Sequence, residues 1–495
     1  MDFSRIIERH AQFAPARCAV HCAGEDVSYS ELWRRIAAAT ASLHGMGVRP
    51  GDRIAYLGLN DPAVLVLLFA LARLGAILLP LNFRLAPVEH EAILRHAGAT
   101  LLLADPVHAV QAAQLAAAVG RAAAPLASLA RGGTLPDGAV CGDDDLPLLL
   151  VYTSGTTGKP KGALHTQAGL IWNCVMSTHA HDFSPADHVL TALPLFHVGG
   201  LCIQTLPALH AGATVTLHAR FEPGAWLRDV QARRPSISLL VPATLKAVLE
   251  HPEFMRTDLG SLKLLNAGSS VIPQSMIAAV HARGVPLCQV YGATETGPVS
   301  IYLRREDAFA KAGAAGKAAL HVEVRLVDSA GGVVAHGEVG EILVRGKNVM
   351  REYWNDPANP AFRDGWFHSG DLAFQDEDGF YNVVGRCKDM IISGGENIYP
   401  AELENVLADV PQVLEAAVIG RPDARWGEVA VAVIVARPGS ALDAAAVLRM
   451  FEGRLARFKH PRQVVFVDAL PKTALGKVQK DMLKGQVLGA PSSRA

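Results

Sequence analysis

Tyr152-Thr153-Ser154-Gly155-Thr156-Thr157-Gly158-Lys159-Pro160-Lys161-Gly162-Ala163 continues directly from the apolar run Leu148-Leu149-Leu150-Val151. The run has the length and composition of a buried strand. The dozen residues after it are dominated by glycine, hydroxyl side chains and lysine. Glycines let a backbone turn tightly and bring its N–H groups against an anion, while hydroxyls and lysines add donors and charge, so the stretch suits a polyphosphate. It is not a Walker A loop: Thr153 stands where that pattern needs its first glycine, and Pro160 rather than a hydroxyl comes after Lys159. Composition alone leaves an ordinary Gly/Ser/Thr surface loop open.

Outward from this stretch, the chain of 495 residues is too long for one core and calls for about two to four structural units. With 50% hydrophobic and 19% charged residues it has an ordinary globular balance, and a net charge of −1 supplies no basic field for nucleic acid or an anionic membrane. Its cysteines (18, 22, 141, 174, 202, 288 and 387) are scattered and odd in number, which argues for a reducing compartment. Cys18, His21 and Cys22 lack a second ligand pair at zinc spacing, so packing accounts for them. Met1-Asp2-Phe3-Ser4-Arg5 has no signal-peptide pattern. The one run of membrane-spanning length, Ala63 to Leu81, is interrupted by Arg73 and Gly75 and stopped by Pro80. It reads as a buried helix leading into a strand. A cytoplasmic protein is expected.

Val189-Ala192, Val215-Leu217, Ser238-Val241, Leu262-Leu265 and Leu287-Val290 read as further buried strands, most of them separated by helix-length segments. That alternation predicts parallel α/β layers. The alanine-rich stretch 107–132 reads as a surface helix and loop. After Asp371 the texture changes: Asp376-Glu377-Asp378-Gly379 predicts a turn between short strands. A second alternating set comes next, with a helix from Pro400 and strands at Val429–Val435 and Val464–Val467.

Motifs recur along nearly the whole chain in one order. After the opening stretch come Leu195-Phe196-His197, Tyr291-Gly292-Ala293-Thr294-Glu295, Ser369-Gly370-Asp371, Gly385-Arg386 with Lys388-Asp389, Gly394-Gly395-Glu396-Asn397, and Pro471 through Gly476-Lys477. In this the sequence resembles the adenylate-forming superfamily of acyl-CoA synthetases, peptide-synthetase adenylation domains and luciferases. The resemblance implies an α/β fold with a large N-terminal domain of layered sheets and helices, residues 1–387, and a small mobile α+β domain, 388–495. It implies ATP, Mg²⁺ and coenzyme A as cofactors or co-substrates. A homodimer is the candidate assembly. It further implies a reaction in which ATP and a carboxylic acid form an acyl-adenylate and pyrophosphate, after which a thiol displaces AMP.

Carried over motif by motif, Thr153, Ser154, Gly155, Thr156, Thr157, Gly158 and Lys159 would hold the nucleotide phosphates, with Gly268, Tyr291, Gly292, Thr294, Asp371 and Arg386 completing the nucleotide site. Asp371 would accept the ribose hydroxyls, Thr294 would bind the α-phosphate and Glu295 would meet Mg²⁺. Lys477, with His197, Thr294 and Glu295, would form the catalytic set, Lys477 bridging carboxylate and α-phosphate. Lys388 would be the hinge. Gly394, Gly395, Glu396, Trp426 and Phe458 would bind CoA. Taken singly, a lysine near a C-terminus is usually solvated, an Asp or Arg an ion-pair member, a Glu after a strand a helix cap, and Trp426 or Phe458 a core side chain.

His197, Val198, Gly199, Gly200, Asn266, Ala267, Val290, Gly297 and Val299 are expected by position to line the acyl pocket. None is cationic, so a second carboxylate would stay unpaired. Val290 stands where malonyl-type ligases carry arginine and where many cinnamate and fatty-acid ligases carry glycine. Pro80-Arg84, Trp172-Val175 and Arg425-Glu428 look most like feruloyl-type and aryl-CoA ligases. The expected substrate is an aromatic or phenylpropenoic monocarboxylate, with a medium- or long-chain fatty acid as the alternative. A peptide-synthetase domain would carry an aspartate near Phe196 and continue into a carrier domain, and a non-catalytic scaffold would be expected to lack Lys477 or Glu295.

Overall fold

In the computed structural model, residues 2–153, 161–269, 272–473 and 476–489 are described. Two sheets form the body of the first 320 residues. One has nine strands, running in space from Lys317–Ala318 through Ile301–Tyr302, Leu287–Tyr291, Leu264–Gly268, Ile237–Leu240, His188–Thr191, Thr214–Leu217 and Cys18–Cys22 to Glu25–Ser28. The other has seven, with Pro147–Thr153 and Lys161–Thr166 antiparallel neighbours on either side of the signature loop. The central strands of both sheets are parallel, as the alternation of strand and helix predicts.

The helix Pro62–Leu74 shows why the two sheets stack. Asp61 caps its start by accepting from the Ala63 amide at 2.7 Å, and Gly75 ends it in the left-handed region at φ 65. Nearly every side chain between these caps is buried, so the helix has no solvent face. It shares one core with Ile54 and Leu78 of the seven-stranded sheet and Val189, Val215 and Leu264 of the nine-stranded one. An all-round apolar helix is stable only when covered on both sides. No described helix is long and apolar enough to cross a membrane.

Two expectations shift. The strand near Leu262 forms at Leu264–Gly268, just after a bend at Lys263, whose ammonium pairs with Asp187 at 2.8 Å. The stretch after residue 107 contains a helix, Ala109–Ala118, but also a strand, Ala122–Pro125, on the edge of the seven-stranded sheet. Alanines carry little strand signal of their own, and the pairing with Leu101–Ala104 makes this one.

A third, antiparallel sheet spans Val322 to Arg386, and its turn at 376–379 joins Trp366–Gln375 to Tyr381–Arg386 as expected. The last sheet contains Ile391–Ser393, Glu396–Ile398, Val413–Asp423, Gly427–Ala436 and Gln463–Phe466. Its two faces carry cores drawn only from residues beyond 390. It meets the body through few described polar contacts: Lys246 Nζ donates to the Leu414 carbonyl at 2.8 Å, and Arg437 pairs with Glu250 at 3.2 Å.

Candidate active site

The parallel strands Leu264–Gly268 and Leu287–Tyr291 end side by side, and their carboxyl ends open onto the cleft. In open α/β sheets this is where ligands bind. The backbone there is very tight. A Cβ on Gly292 would stand 1.7 Å from the Pro298 carbonyl oxygen, so only glycine allows the turn after Tyr291. The short turn Thr294–Thr296 then places Thr294 in the interior and leaves Glu295 half-buried.

Asp371 is the electrostatic centre of the cleft. Strand pairing sets it opposite Arg386, whose Nε lies 2.9 Å from Oδ1, and the Tyr291 hydroxyl donates to Oδ2 at 2.9 Å. Burial first, and the Asp371 charge second, raise the Tyr291 pKa, so it stays a donor. The structure thus brings Tyr291, Asp371 and Arg386 together from two different sheets. Thr153 closes the strand leading into the signature loop, while Ser154, Gly155, Thr156, Thr157, Gly158 and Lys159 lie outside the described residues.

Glu295 is held by residues that no motif pointed to. The Tyr353 hydroxyl donates to Glu295 Oε1 at 2.7 Å, and the Met350 amide donates to its backbone carbonyl at 2.8 Å. Tyr353 belongs to a two-residue strand paired with Ala163 and Leu164, just past the signature loop, and Lys161 Nζ lies 5.1 Å from its ring centre. Buried His165 hydrogen-bonds the Thr294 backbone, and burial pushes its pKa down to about 4. The only sequence signal for this set is adjacency to the loop. A half-buried carboxylate with a fixed orientation is a hard oxygen donor of the kind Mg²⁺ takes, alongside waters and phosphate oxygens, so Glu295 fits that ion.

Lys477 reaches this cleft from the last sheet's domain. Gly476 packs near Ala243, where a built Cβ would lie 3.3 Å from the alanine methyl. The lysine keeps contact with solvent, but protein surrounds its ammonium, and that crowding lowers its pKa. Arg386 and Lys388 lower it further, while Asp371 and Asp389 act against them. Lys388 pairs with Asp481, at the start of the helix Lys480–Leu488, at 2.7 Å.

Beside Gly268 lies a small cavity that opens to solvent. Leu193, Pro194, Ile203, Leu239 and Val241 give it apolar walls; His197, Gly199, Gly200, Gly268 and Ser269 complete it. His197 Nδ1 accepts from the Gly199 amide at 3.0 Å, and burial pushes its pKa down to about 4. The neutral ring therefore carries its proton on Nε2, a fixed donor. Val290 and Val299 pack into the cluster that includes Leu193, Ile203, Leu239 and Val241. Gly297 is pressed against Asn348, whose carbonyl would lie 2.4 Å from an added Cβ.

Three expected wall residues are placed elsewhere. Val198 turns into the main core with Val189 and Leu195. Ala267 faces the opposite side of its strand from Asn266 and Gly268, as strand alternation requires, and packs with Leu240 and Ile277. Asn266 itself accepts a hydrogen bond from Gln204 at 2.7 Å and does not line the cavity.

On the far part of the last domain, Trp426 seats the glycine loop. The Gly394 amide donates to the Trp426 carbonyl at 2.7 Å, and a Cβ on Gly394 would stand 2.8 Å from the indole. Arg425 and Arg462 lie over the ring at 4.8 and 5.6 Å. Gly395 and Glu396 are exposed beside it, and Phe458 stands exposed on the turn Arg457–Lys459.

The lowered Lys477 pKa has a defined consequence. Were Lys477 the cation that neutralises phosphate charge, that charge would be lost as pH rises through the lowered pKa. The nucleotide kcat/KM, which reports the free protein, will therefore fall at a pH below the range of an ordinary lysine. A profile flat through that range would count against Lys477 acting as the cation.

Comparison with known proteins agrees with this geometry. Residues 7–354 match the AMP-binding enzyme family and residues 402–477 the AMP-binding enzyme C-terminal domain. The chain is 48% identical to an indoleacetate–CoA ligase of Aromatoleum aromaticum, over 97% of both chains. It is 45% identical to a feruloyl-CoA synthase of an Amycolatopsis species, again over 97% of both. Its fold superposes on the crystal structure of ATP-bound MatB from Rhodopseudomonas palustris with a TM-score of 0.90, at 32% identity and covering 98% of this chain and 99% of the other. Both matched regions contribute to the cleft, Tyr291 and Glu295 from the first and Lys477 from the second, and the chain belongs to the AMP-binding, adenylate-forming enzyme family.

Proposed function

We propose that this AMP-forming acid–thiol ligase converts a compact aromatic or phenylpropenoic monocarboxylic acid to its CoA thioester. The observation that carries the substrate class is the cavity beside His197. Its described lining is largely apolar and contains no cationic side chain. A second carboxylate would be buried there unpaired. The 48% and 45% identical relatives, named for indoleacetate and ferulate, point the same way, and a fatty acid is the alternative, supported by 35% identity to a ligase of Mycobacterium tuberculosis named for long-chain fatty acids.

In this reading a carboxylate oxygen attacks the α-phosphorus of ATP, the P–O bond to the β-phosphate breaks, and pyrophosphate leaves. Lys477 stabilises the charge that builds on the α-phosphate and the entering carboxylate. Thr294 would donate to the α-phosphate, Asp371 would accept from the ribose, and Glu295, oriented by Tyr353, would hold Mg²⁺. The metal would neutralise phosphate charge. The thiol of CoA then attacks the acyl carbon, forming the C–S bond as the C–O bond to AMP breaks.

We place the boundary between a nucleotide-binding domain, 1–387, and a C-terminal domain, 388–495, at Lys388. The closeness of Lys477 to Asp371 and Arg386 supports reading this orientation as the adenylating one. Thioester formation would use another orientation, with Gly394, Gly395, Glu396, Trp426 and Phe458 at the CoA channel.

Two variants should separate the half-reactions. Lys477→Ala will lower acid-dependent ATP–pyrophosphate exchange by about 10²–10³-fold, the usual cost of removing one charge-stabilising group, yet largely spare CoA transfer from a supplied acyl-adenylate. Lys388→Pro will do the reverse, because proline fixes φ at the proposed joint. Equal loss of both half-reactions in either variant would refute its assigned role.

The substrate class is tested by pyrophosphate release over benzoates, cinnamates, indole-containing acids and linear fatty acids, with and without CoA. Higher kcat/KM for the linear acids would overturn the aromatic reading. Val290→Gly will shift the ratio of kcat/KM between a short aromatic acid and a longer one by roughly ten- to a hundredfold toward the longer. An unmoved ratio would remove Val290 from the acyl wall.

A further inference from the structure

The wall of the acyl cavity that carries Ile203 is not an ordinary helix. Leu201–Thr205 is a π-turn in which the Leu206 amide donates to the Leu201 carbonyl, five residues back. Such turns are rare and cluster at functional sites. The sequence explains why the next bonds fail. Residue 207 is proline and has no amide hydrogen. It occupies both the π-type partner position of the Cys202 carbonyl and the α-type partner position of the Ile203 carbonyl, so each oxygen loses a regular backbone donor.

Both oxygens are served instead from the helix Gln167–His181. Asn173 Nδ2 donates to the Cys202 carbonyl at 2.7 Å, and Ser177 Oγ donates to the Ile203 carbonyl at 2.5 Å. Asn173 and Ser177 lie one helical turn apart and are fully buried in a largely apolar surrounding. Asn173 does more, since its Oδ1 accepts from the Val299 amide at 3.2 Å. One side chain therefore ties the π-turn to the segment beyond Tyr291-Gly292. The other end of the turn is fixed as well. Thr205 Oγ1 donates to the Gly200 carbonyl at 2.6 Å, and Gly200 is packed so closely that a Cβ would stand 2.2 Å from the Pro194 carbonyl oxygen. Clamped at both ends, the turn presents Ile203 to the cavity at one depth.

We propose that Asn173 and Ser177 are positioning residues for acid selection: by capping the two carbonyls that Pro207 cannot serve, they hold the π-turn and so set how far Ile203 closes the acyl cavity. This rests on the ligase reading for the nature of the substrate, but its test does not need CoA. The readout is acid-dependent ATP–pyrophosphate exchange with a short aromatic acid and a longer one, alongside the KM for ATP and the melting temperature.

Ser177→Ala and Asn173→Ala each remove one donor. The expected result is a change of about tenfold in the ratio of kcat/KM for the two acids, toward the longer, with the ATP KM unchanged. Ser177→Thr, which keeps the hydroxyl, will restore the ratio. Ile203→Val, which trims the side chain that the turn presents, will move it in the same direction as Ser177→Ala. If Asn173→Ala does not fold, the Ser177→Ala and Ser177→Thr pair decides alone. An unchanged ratio in folded Ser177→Ala, or a loss shared equally by both acids and by ATP binding, overturns the proposal. Failure of every acid to form a thioester, with exchange intact, would instead sink the ligase reading and leave this comparison standing.

Discussion

The Asp371 carboxylate is the point on which the cleft depends. It lies on the antiparallel sheet of residues 322–386, accepts a hydrogen bond from Tyr291 at the end of a nine-stranded-sheet strand, and pairs with Arg386 two residues before Lys388. Side-chain accessibility is only 14% for Asp371 and 35% for Arg386, so this pair is screened less than a surface bridge. Under the proposed function, a ribose bonded to this carboxylate would share it with, or displace, the Tyr291 hydroxyl, and so act on the strand that also carries Val290.

A second theme is the use of burial to keep polar groups neutral. His165 and His197 are both pushed down to about 4, one under Thr294 and the other on the cavity wall. At neutral pH both rings are uncharged, so they add no positive charge at the cleft. Neutral imidazoles supply direction without charge, which suits the uncharged acyl tail of the proposed substrate.

Much of this is legible in the sequence, and for identifiable reasons. The parallel strands announce themselves because central strands buried on both faces are continuous apolar runs, as at Leu148–Val151 and Leu287–Val290. The glycines at 292 and 200 mark true steric limits, so composition and geometry agree there. The features that stay hidden depend on partners distant in the chain. Tyr353 finds Glu295 only because a two-residue strand pairs beside Ala163. Ala122–Pro125 is a strand only because Leu101–Ala104 offers it an edge. Position in the motif assigns Val198 and Ala267 to the acyl wall, and a rotation of one residue along a turn or strand sends each into a different core. Within the nucleotide motifs the residue types carry the assignment; on the acyl wall, side-chain direction decides it, and a sequence does not display direction.

The join between the last sheet and the body is slight. Its described polar contacts are one lysine on a carbonyl and an exposed ion pair, Arg437 with Glu250, whose side chains are 44% and 52% accessible. Pairs of that kind contribute about 0–1 kcal/mol and weaken further in salt. Those two contacts alone favour this orientation only weakly, and salt would loosen them before it touched the core of either part.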